Sequence, residues 1–447
     1  MHVRAGSSGI CTGEVADAGN SASDTNRVVS AETECDCEDE DMDVFIDEGC
    51  AAQGAGNVLW RLPLDGAGEQ RLRGGAVGGD GRLYVNGYLA AEPIDAGVPF
   101  DAPPSLLCNG THQGSEGFLI GVGSLGGPPT CETVFEGTAS FAAPAPGRRG
   151  AWSTTTTGIS EVQGATSIDT VTSSEVLFGV SDVQLRPGPS NGRLVRFWSN
   201  TMSSTLGGVS ILNEFRDVVG YTEEGMMSPL WTTTAASPSA IGWVDADHFY
   251  IVTPSDMFAG SCMQTSSRWR IEEHSFSAPD ACDRVLDLDL PTPALRFADP
   301  PAAGSLSEIT AAYSDGRYWV LARDTRAYHL RVVQRGESTV SGDSIFASSA
   351  GFEPSAHLRA ADDGTVFVAT TEVLEGRSRG LIRHVRLSAG AIEVLGIRRV
   401  DGFIGGMAIG PDRTVYITTS TDGSVSLCNG SRYTADRQTT MITAIRF

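Results

Sequence analysis

Ile309-Thr-Ala-Ala-Tyr-Ser-Asp-Gly-Arg-Tyr-Trp-Val320 is the stretch that decides the fold. It begins as a short apolar strand, turns at Asp315-Gly316, and continues as a second strand with aromatic residues near its centre. An Asp-Gly pair suits the left-handed backbone conformation that a tight, right-twisted hairpin turn requires. The stretch therefore predicts two antiparallel strands joined by a hairpin.

The same plan recurs along the chain. Further copies are found at residues 76–85, 241–252, 358–368 and 407–417, and two weaker ones at 143–152 and 188–195. A second hairpin accompanies the first, and residues 381–395, which turn at Ala389-Gly390, show it best. Two hairpins in each repeat of about 45 to 70 residues make a four-stranded blade. The pattern predicts an all-β fold, a β-propeller with seven blades, or six if the two weak copies belong to one blade.

Composition divides the chain near residue 52. Residues 1–52 hold 13 Asp and Glu against two Arg and almost no aromatic residues, which is typical of a disordered acidic tail that a protease removes. Residues 53–447 form the predicted propeller. Its last blade lacks an outer strand at the C-terminus, and unpaired sheet edges are costly. We therefore expect residues 57–64 or 69–72 to pair with residues 441–447 and close the ring.

Two motifs carry a likeness to known proteins, namely Arg61-Leu-Pro-Leu-Asp-Gly66 and Asp80-Gly-Arg-Leu-Tyr84. Together they resemble secreted bacterial propellers whose blades contain an Arg-x-Pro-Leu-Asp-Gly hairpin followed by an Asp-Gly-x-x-Tyr strand pair. The resemblance covers most of residues 53–447 and implies the propeller architecture. Propellers serve many functions, so the resemblance implies no particular activity.

The charge of the chain excludes some partners. The net charge is −23, and so acidic a chain repels phosphate backbones, which argues against a nucleic-acid partner. No apolar run approaches the roughly 18 residues needed to cross a bilayer, so no transmembrane segment is expected. Every basic residue is Arg and none is Lys. Arg codons are GC-rich, so this usage indicates a bacterium with a GC-rich genome.

Nine cysteines at regular positions indicate an oxidising compartment, which is extracellular, at the cell surface or periplasmic. No apolar signal-peptide core follows Met1, and we expect that the start was trimmed or misplaced. Proximity in sequence favours local pairs, whereas the length of a blade strand places the members of such pairs far apart. The pairings left open are Cys108–Cys131 with Cys262–Cys282, Cys108–Cys428, and Cys50–Cys428.

Cofactor motifs are weak. Asp39, Asp41, Asp43 and Asp47 place carboxylates at alternate positions, as a Ca²⁺ loop does, but Val and Cys stand where an EF-hand requires Gly and Glu. A solvated acidic tail is the favoured interpretation, and Ca²⁺ is the alternative. Residues 121–126 match the dinucleotide pattern G-x-G-x-x-G, but a strand-like run follows instead of a helix. We therefore predict no dinucleotide or other cofactor.

Two residues are candidates for catalysis. Glu308 begins an inner strand, and its placement resembles the metal-binding Glu of gluconolactonase-like six-bladed propellers. That resemblance implies Asn and Asp ligands on other blades, which the sequence does not identify. His357 begins another inner strand and would face the channel if it were functional. The ordinary alternatives are a surface Glu and a packed His.

The leading hypothesis is a non-catalytic binding scaffold, secreted or at the cell surface and monomeric, that binds a protein or glycan ligand on its loop face. Long insertions at residues 90–116, 254–267 and 420–440 occupy the same position in three blades and would enlarge that face. The alternative is a metal-dependent hydrolase or lactonase, or a glycan-active enzyme, at the channel mouth. Acidic and His side chains converging from three or more inner strands would favour the enzyme.

Overall fold

The structure of this protein is a computed structural model, and it describes 24 stretches of the chain, which we call the described residues. They are 9–10, 58–64, 69–90, 105–108, 110–112, 117–123, 129–136, 143–155, 158–172, 180–188, 193–199, 203–206, 209–212, 216–223, 226–233, 240–254, 269–288, 290, 308–324, 327–337, 339–347, 356–374, 377–426 and 432–447.

All regular structure in the described residues is β-strand. The first half contains β1 (Gly9–Ile10), β2 (Val58–Leu64), β3 (Glu69–Val77), β4 (Leu83–Ala90), β5 (Ser105–Leu107), β6 (Gly110–His112), β7 (Gly117–Gly123), β8 (Thr130–Glu136), β9 (Ala145–Pro146), β10 (Ala151–Thr155), β11 (Gly158–Gln163), β12 (Thr166–Thr172), β13 (Val180–Pro187), β14 (Arg193–Ser199), β15 (Ser203–Leu206), β16 (Val209–Leu212), β17 (Arg216–Glu223) and β18 (Met226–Thr233). The second half contains β19 (Ala240–Trp243), β20 (His248–Pro254), β21 (Trp269–Ser275), β22 (Ala278–Asp287), β23 (Glu308–Ser314), β24 (Arg317–Arg323), β25 (Ala327–Gln334), β26 (Gly342–Ala347), β27 (Ala356–Ala360), β28 (Val366–Leu374), β29 (Arg377–Ser388), β30 (Ala391–Asp401), β31 (Phe403–Ile409), β32 (Thr414–Ser426) and β33 (Arg432–Arg446).

These strands form seven sheets of four or five strands and two small two-stranded sheets, and the described pairs are antiparallel. From the inner strand outward, sheet 1 is β3-β4-β7-β8, sheet 2 is β9 to β12, sheet 3 is β13-β14-β17-β18, sheet 4 is β19 to β22, sheet 5 is β23 to β26, sheet 6 is β27 to β30, and sheet 7 is β31-β32-β33-β2-β1. The predicted all-β propeller plan of four-stranded antiparallel sheets is confirmed. The described part of the chain contains no helix that is long and apolar enough to cross a membrane.

The inner strands surround a common axis. Each of them contacts the inner strand of the next sheet, and β31 of sheet 7 contacts β3 of sheet 1. Small residues permit this approach: a Cβ on Gly405 or Gly406 would overlap the backbone of Leu72 or Gly74. The apolar core lies between neighbouring sheets, where aromatic residues such as Tyr250 and Tyr318 meet edge to face.

Two hairpins have the two-residue turn that the sequence predicts. Asp315 and Gly316 have φ angles of 49° and 72°, and they join Ser314 to its ladder partner Arg317. Ala389 and Gly390 have φ angles of 51° and 80° in the same arrangement. Two successive residues with positive φ define the turn that matches the right-handed twist of a hairpin.

Other Asp-containing turns are longer than predicted. Asp80-Gly81 lies in a loop of residues 78–82 between the paired residues Val77 and Leu83. The Oδ1 atom of Asp80 accepts a hydrogen bond of 3.2 Å from the backbone N–H of Arg82. Such an Asx turn lets the side chain replace a backbone acceptor, which stabilises a wider loop. The same contact recurs from Thr365 N–H to Asp363 and from Thr414 N–H to Asp412.

The two ends of the propeller region share sheet 7. Strand β2 pairs with β33, so that Leu62 lies opposite Ile442 and Trp60 opposite Ala444. The expected contact between residues 57–72 and 441–447 is therefore present, and β2 supplies it, whereas residues 69–72 begin sheet 1. Strand β1 adds to the free edge of β2. The other residues of the 1–52 segment lie outside the described residues.

A disulfide joins Cys108 to Cys131, with their Cα atoms 4.9 Å apart. The length of the intervening strand argues against this pair, but the insertion folds back through the β5–β6 hairpin and brings Cys108 to β8. The alternative pair Cys108–Cys428 is therefore wrong. Cys282 is also disulfide-bonded. The cysteines that lie outside the described residues include Cys50, Cys262 and Cys428.

Replacing Gly81 with Ala should lower the free energy of unfolding by about 1 kcal/mol, because Ala disfavours the left-handed conformation. Gly81 has a φ of 76° and a Cβ there would contact nothing within 4 Å, so the substitution tests backbone strain alone. Gly81→Asn is the matched control, since Asn tolerates this region and should cost less. Urea denaturation measures both variants. Equal costs for Ala and Asn would contradict the backbone explanation.

Ending the chain at residue 440 should destabilise the whole propeller by several kcal/mol instead of fraying one end. The lost residues pair with β2 and include Ile442 and Ile445, which are fully buried. Thermal unfolding followed by circular dichroism measures the effect. Removal of residues 1–8 is the control and should leave the melting temperature unchanged. A truncated protein that melts at the wild-type temperature would show that the terminal pairing is dispensable.

Candidate functional site

A cavity of about 300 Å³ lies on the axis of the propeller. It is lined by residues at or near the carboxyl ends of all seven inner strands, close to the turns that lead into the second strands. Gly, Ala, Pro and aliphatic residues make up most of the wall. The polar or aromatic lining residues are Arg186, Trp243, Tyr250, Tyr313 and Arg359.

The backbone adds polar groups to this wall. Each inner strand is paired on one side only in the described sheets, so the N–H and C=O groups of its other edge are directed toward the axis. Gly75, which has no side chain, and Ala311 line the cavity beside those groups. The cavity therefore combines hydrogen-bonding edges with apolar surface.

Arg186 of β13 and Arg359 of β27 bring positive charge into the cavity. Each guanidinium donates a 3.0 Å hydrogen bond to the carbonyl of the preceding residue, Leu185 or Leu358. Burial and repulsion from Arg186 lower the pKa of Arg359 to about 9, so Arg359 is still charged at neutral pH. No carboxylate occurs among the described lining residues.

Trp243 of β19 forms a hydrogen bond to the neighbouring inner strand, β13. Its indole Nε1–H donates a 3.0 Å hydrogen bond to the backbone carbonyl of Arg186. The indole ring stacks on Phe276 with 4.9 Å between ring centroids. This contact couples sheet 3 to sheet 4 and fixes the backbone that carries Arg186.

Tyr313 forms another part of the wall, and an ionic network supports it. Its ring lies 4.9 Å from that of Tyr318, whose hydroxyl donates a 2.5 Å hydrogen bond to Glu273. Arg335 bridges Glu273 at 2.5 Å and Asp245 at 3.0 Å, which joins sheets 4 and 5. Burial raises the pKa of Tyr313, and the charge of Arg335 opposes this only in part, so the phenol is neutral at pH 7.

A second cluster of chemically active residues has a structural explanation. Potential ligand atoms of Glu272, His274 and Cys282 lie within 4.8 Å of one another. Cys282 is disulfide-bonded, so it offers no thiolate. The carboxylate of Glu272 is already paired with Arg270, and both are buried. The arrangement is therefore that of a balanced buried ion pair and not of a metal centre.

The candidates from the sequence do not meet in the cavity. Glu308 is the first residue of β23, opposite Arg323, and its side chain lies outside the described residues. His357 does not line the cavity; burial lowers its pKa to about 3, and it contacts the backbone of Ile404 in sheet 7. Asp39, Asp41, Asp43 and Asp47 lie outside the described residues, as do most of the insertions at residues 90–116 and 254–267. The insertion at residues 420–440 is described except for residues 427–431, and it extends strands β32 and β33.

Sequence reasoning missed both arginines of the cavity. One signal was available, because Leu185-Arg186 and Leu358-Arg359 are the same dipeptide near the end of an inner strand. The dipeptide alone does not distinguish a residue of the channel from one at the surface. Only the arrangement of the sheets around the axis shows that both copies of the dipeptide line the cavity.

No family model matches this chain, and no curated protein matches it. Solved structures match at low similarity. A β-xylosidase is 11% identical, with a TM-score of 0.34 over 76% of this chain and 99% of its own. An ulvan lyase is 9% identical, with a TM-score of 0.34 over 83% and 96%. A eukaryotic initiation factor is 12% identical, with a TM-score of 0.32 over 74% and 88%.

Likenesses at this level carry no argument about activity. The class of protein follows instead from the strand topology, which is that of an all-β propeller whose inner strands enclose a small axial cavity.

Replacing Asp245 with Asn should lower stability at neutral pH. Burial raises the pKa of Asp245, but hydrogen bonds from His248, the Asp247 N–H and Arg335 outweigh it and bring the pKa below its ordinary 3.8. A folded-state pKa below the unfolded one stabilises the protein above about pH 4, and the gain is lost as the pH falls through the folded pKa. The carboxylate is half exposed, so the expected cost is below about 1 kcal/mol.

Urea denaturation at pH 7, 5 and 3 measures this difference, which should shrink at pH 3. Asp343→Asn is the control, since that side chain is 64% exposed and pairs with Arg331 at 3.4 Å. A difference of the same size at pH 7 and pH 3 would contradict the assignment.

Proposed function

We propose that this protein is a secreted or cell-surface binding module that holds a small ligand in its axial cavity without transforming it. The observation that carries the proposal is the cavity itself, with residues from seven strands around about 300 Å³. Ligand sites are typically concave and mostly apolar, with a few polar groups that orient the ligand, and this volume is at the lower end of their range.

The chemistry of the wall favours binding over catalysis. General acid–base catalysis requires a group whose pKa lies near the working pH. The titratable side chains among the described lining residues are two arginines and two tyrosines. Burial raises the pKa of Tyr250 and of Tyr313, so neither releases a proton at neutral pH. The described lining residues can therefore orient a ligand and supply positive charge, but none of them is a proton donor or acceptor at neutral pH.

The disulfide chemistry supports a location outside the cytosol. Cys108 and Cys131 are bonded to each other, and Cys282 is also oxidised. Structural disulfides persist in extracellular and periplasmic compartments and are rare in the cytosol. The proposed ligand is therefore one that is encountered outside the cell or in the periplasm.

The alternative function is a metal-dependent or glycan-active hydrolase at the opposite mouth of the channel. Glu308 begins β23, whereas the cavity lies toward the end of that strand, so the two places are separate. An enzyme of this kind would require ligands or carboxylates at the starts of several inner strands. Turnover of a glycan by the purified protein would favour this alternative.

Ala312→Leu should abolish ligand binding, because the larger side chain occupies part of the cavity. The measurement is the shift in melting temperature produced by a set of neutral sugars, sugar acids, amino acids and small organic acids. A ligand at 100 times its dissociation constant stabilises a protein by about 2.7 kcal/mol. We expect at least one compound to stabilise the wild type and to lose its effect on the variant.

Ala391→Leu is the matched control, since Ala391 is exposed at the start of outer strand β30. It should respond to the same compound as the wild type does. A compound that stabilises Ala312→Leu as much as the wild type would place the binding site elsewhere. The absence of any stabilising compound would contradict the proposal.

A further inference from the structure

We propose that the ligand of the axial cavity is a sugar acid whose carboxylate binds Arg359 and Arg186 while its hydroxyl groups bind the inner strand edges. This inference rests on the proposed function of the same cavity and names the class of its ligand. It depends on the placement of charge in the cavity and on the composition of the wall around that charge.

The first argument is a positive charge without a counter-charge. The hydrogen bond that Arg359 makes goes to the carbonyl of Leu358, its neighbour in the chain. Within the described part of the chain, no Asp or Glu is paired with Arg359, and the like charge of Arg186 lowers its pKa further. Buried charges in proteins are ordinarily paired. An anion in the cavity would supply the missing partner.

The second argument is the type of cation. A guanidinium presents planar, forked donors that match the two oxygens of a carboxylate. Two guanidinium groups directed into one small space repel each other, and a bound carboxylate between them would remove that repulsion. Trp243 holds the backbone of Arg186 through the Nε1 hydrogen bond, so this half of the arrangement is fixed before the ligand arrives.

The third argument is the remainder of the wall. A simple anion such as sulfate or acetate would occupy the arginine end and leave the other strand edges unused. The inner strands have a sheet partner on one side only, and N–H and C=O groups of the other edge match the hydroxyl groups of a sugar. The flat rings of Trp243 and Tyr313 offer apolar surface beside them. The cavity volume suits a ligand of one or two rings.

Isothermal titration with glucuronate, glucose and acetate tests the inference. Wild-type protein should bind glucuronate at least about tenfold more tightly than glucose or acetate, since each charge-assisted contact adds to the ring contacts. The Arg359→Met variant should bind glucuronate about tenfold more weakly than the wild type does, and its affinity for glucose should be unchanged. Arg386→Met is the control, because Arg386 pairs with Glu393 at the exposed outer edge of sheet 6 and should bind as the wild type does.

A second readout does not require a ligand. Arg359→Met removes a half-buried charge that has no counter-ion among the described residues, so the ligand-free variant should melt at a higher temperature than the wild type. Arg386→Met should not. Sodium sulfate should raise the melting temperature of the wild type more than that of Arg359→Met, because the general effect of the salt is common to both proteins. A ligand-free Arg359→Met that melts at or below the wild-type temperature would overturn the claim of an uncompensated charge.

The outcomes separate this inference from the proposed function. Equal affinity for glucuronate and glucose, with both lost in Ala312→Leu, would keep the cavity as a binding site and overturn the sugar-acid assignment. Glucuronate binding that Ala312→Leu leaves intact would overturn both. Acetate binding as tightly as glucuronate would show that the ring contributes nothing, and this would also overturn the assignment.

Discussion

The close approach of backbone to backbone around the axis is the constraint on which the rest of the structure depends. Strands β31 and β3 pass so near each other that Gly405 and Gly406 have no room for a Cβ beside Leu72 and Gly74. Larger residues at these positions would push sheet 7 away from sheet 1. Glycine is accepted here for its lack of volume, although it lowers the stability of an isolated strand.

This constraint creates the candidate site. Small residues near the ends of the inner strands leave an axial space, and the unpaired strand edges make part of its surface polar. Arg186 and Arg359 are the charged residues among those that line this space. A half-buried guanidinium next to another one raises the free energy of the empty protein, and a bound anion would remove that cost. The geometry of packing and the proposed function are therefore linked.

Much of the fold was predictable because its signals are local. The Asp315-Gly316 and Ala389-Gly390 turns form as predicted, since two residues that tolerate positive φ suffice for the tight hairpin. The Asp80 turn differs because its side chain captures the N–H of Arg82, and this choice depends on loop length as well as on residue type. The Cys108–Cys131 bond required the fold-back of an insertion, which strand geometry alone argues against.

The sequence by itself determined the all-β class and the repeat, because hairpin turns and alternating strands are encoded by neighbouring residues. It also predicted that a segment within residues 57–72 pairs with the C-terminal strand, and the tertiary structure decided that residues 58–64 do so. Only the tertiary structure decided the site. Arg186 and Arg359 are 173 positions apart and share one cavity because the ring brings the ends of β13 and β27 to a common axis. His357 lies two positions before Arg359 but contacts the backbone of Ile404 in sheet 7. The positions of the neighbouring sheets decide which residues of one strand line the channel and which pack in the core.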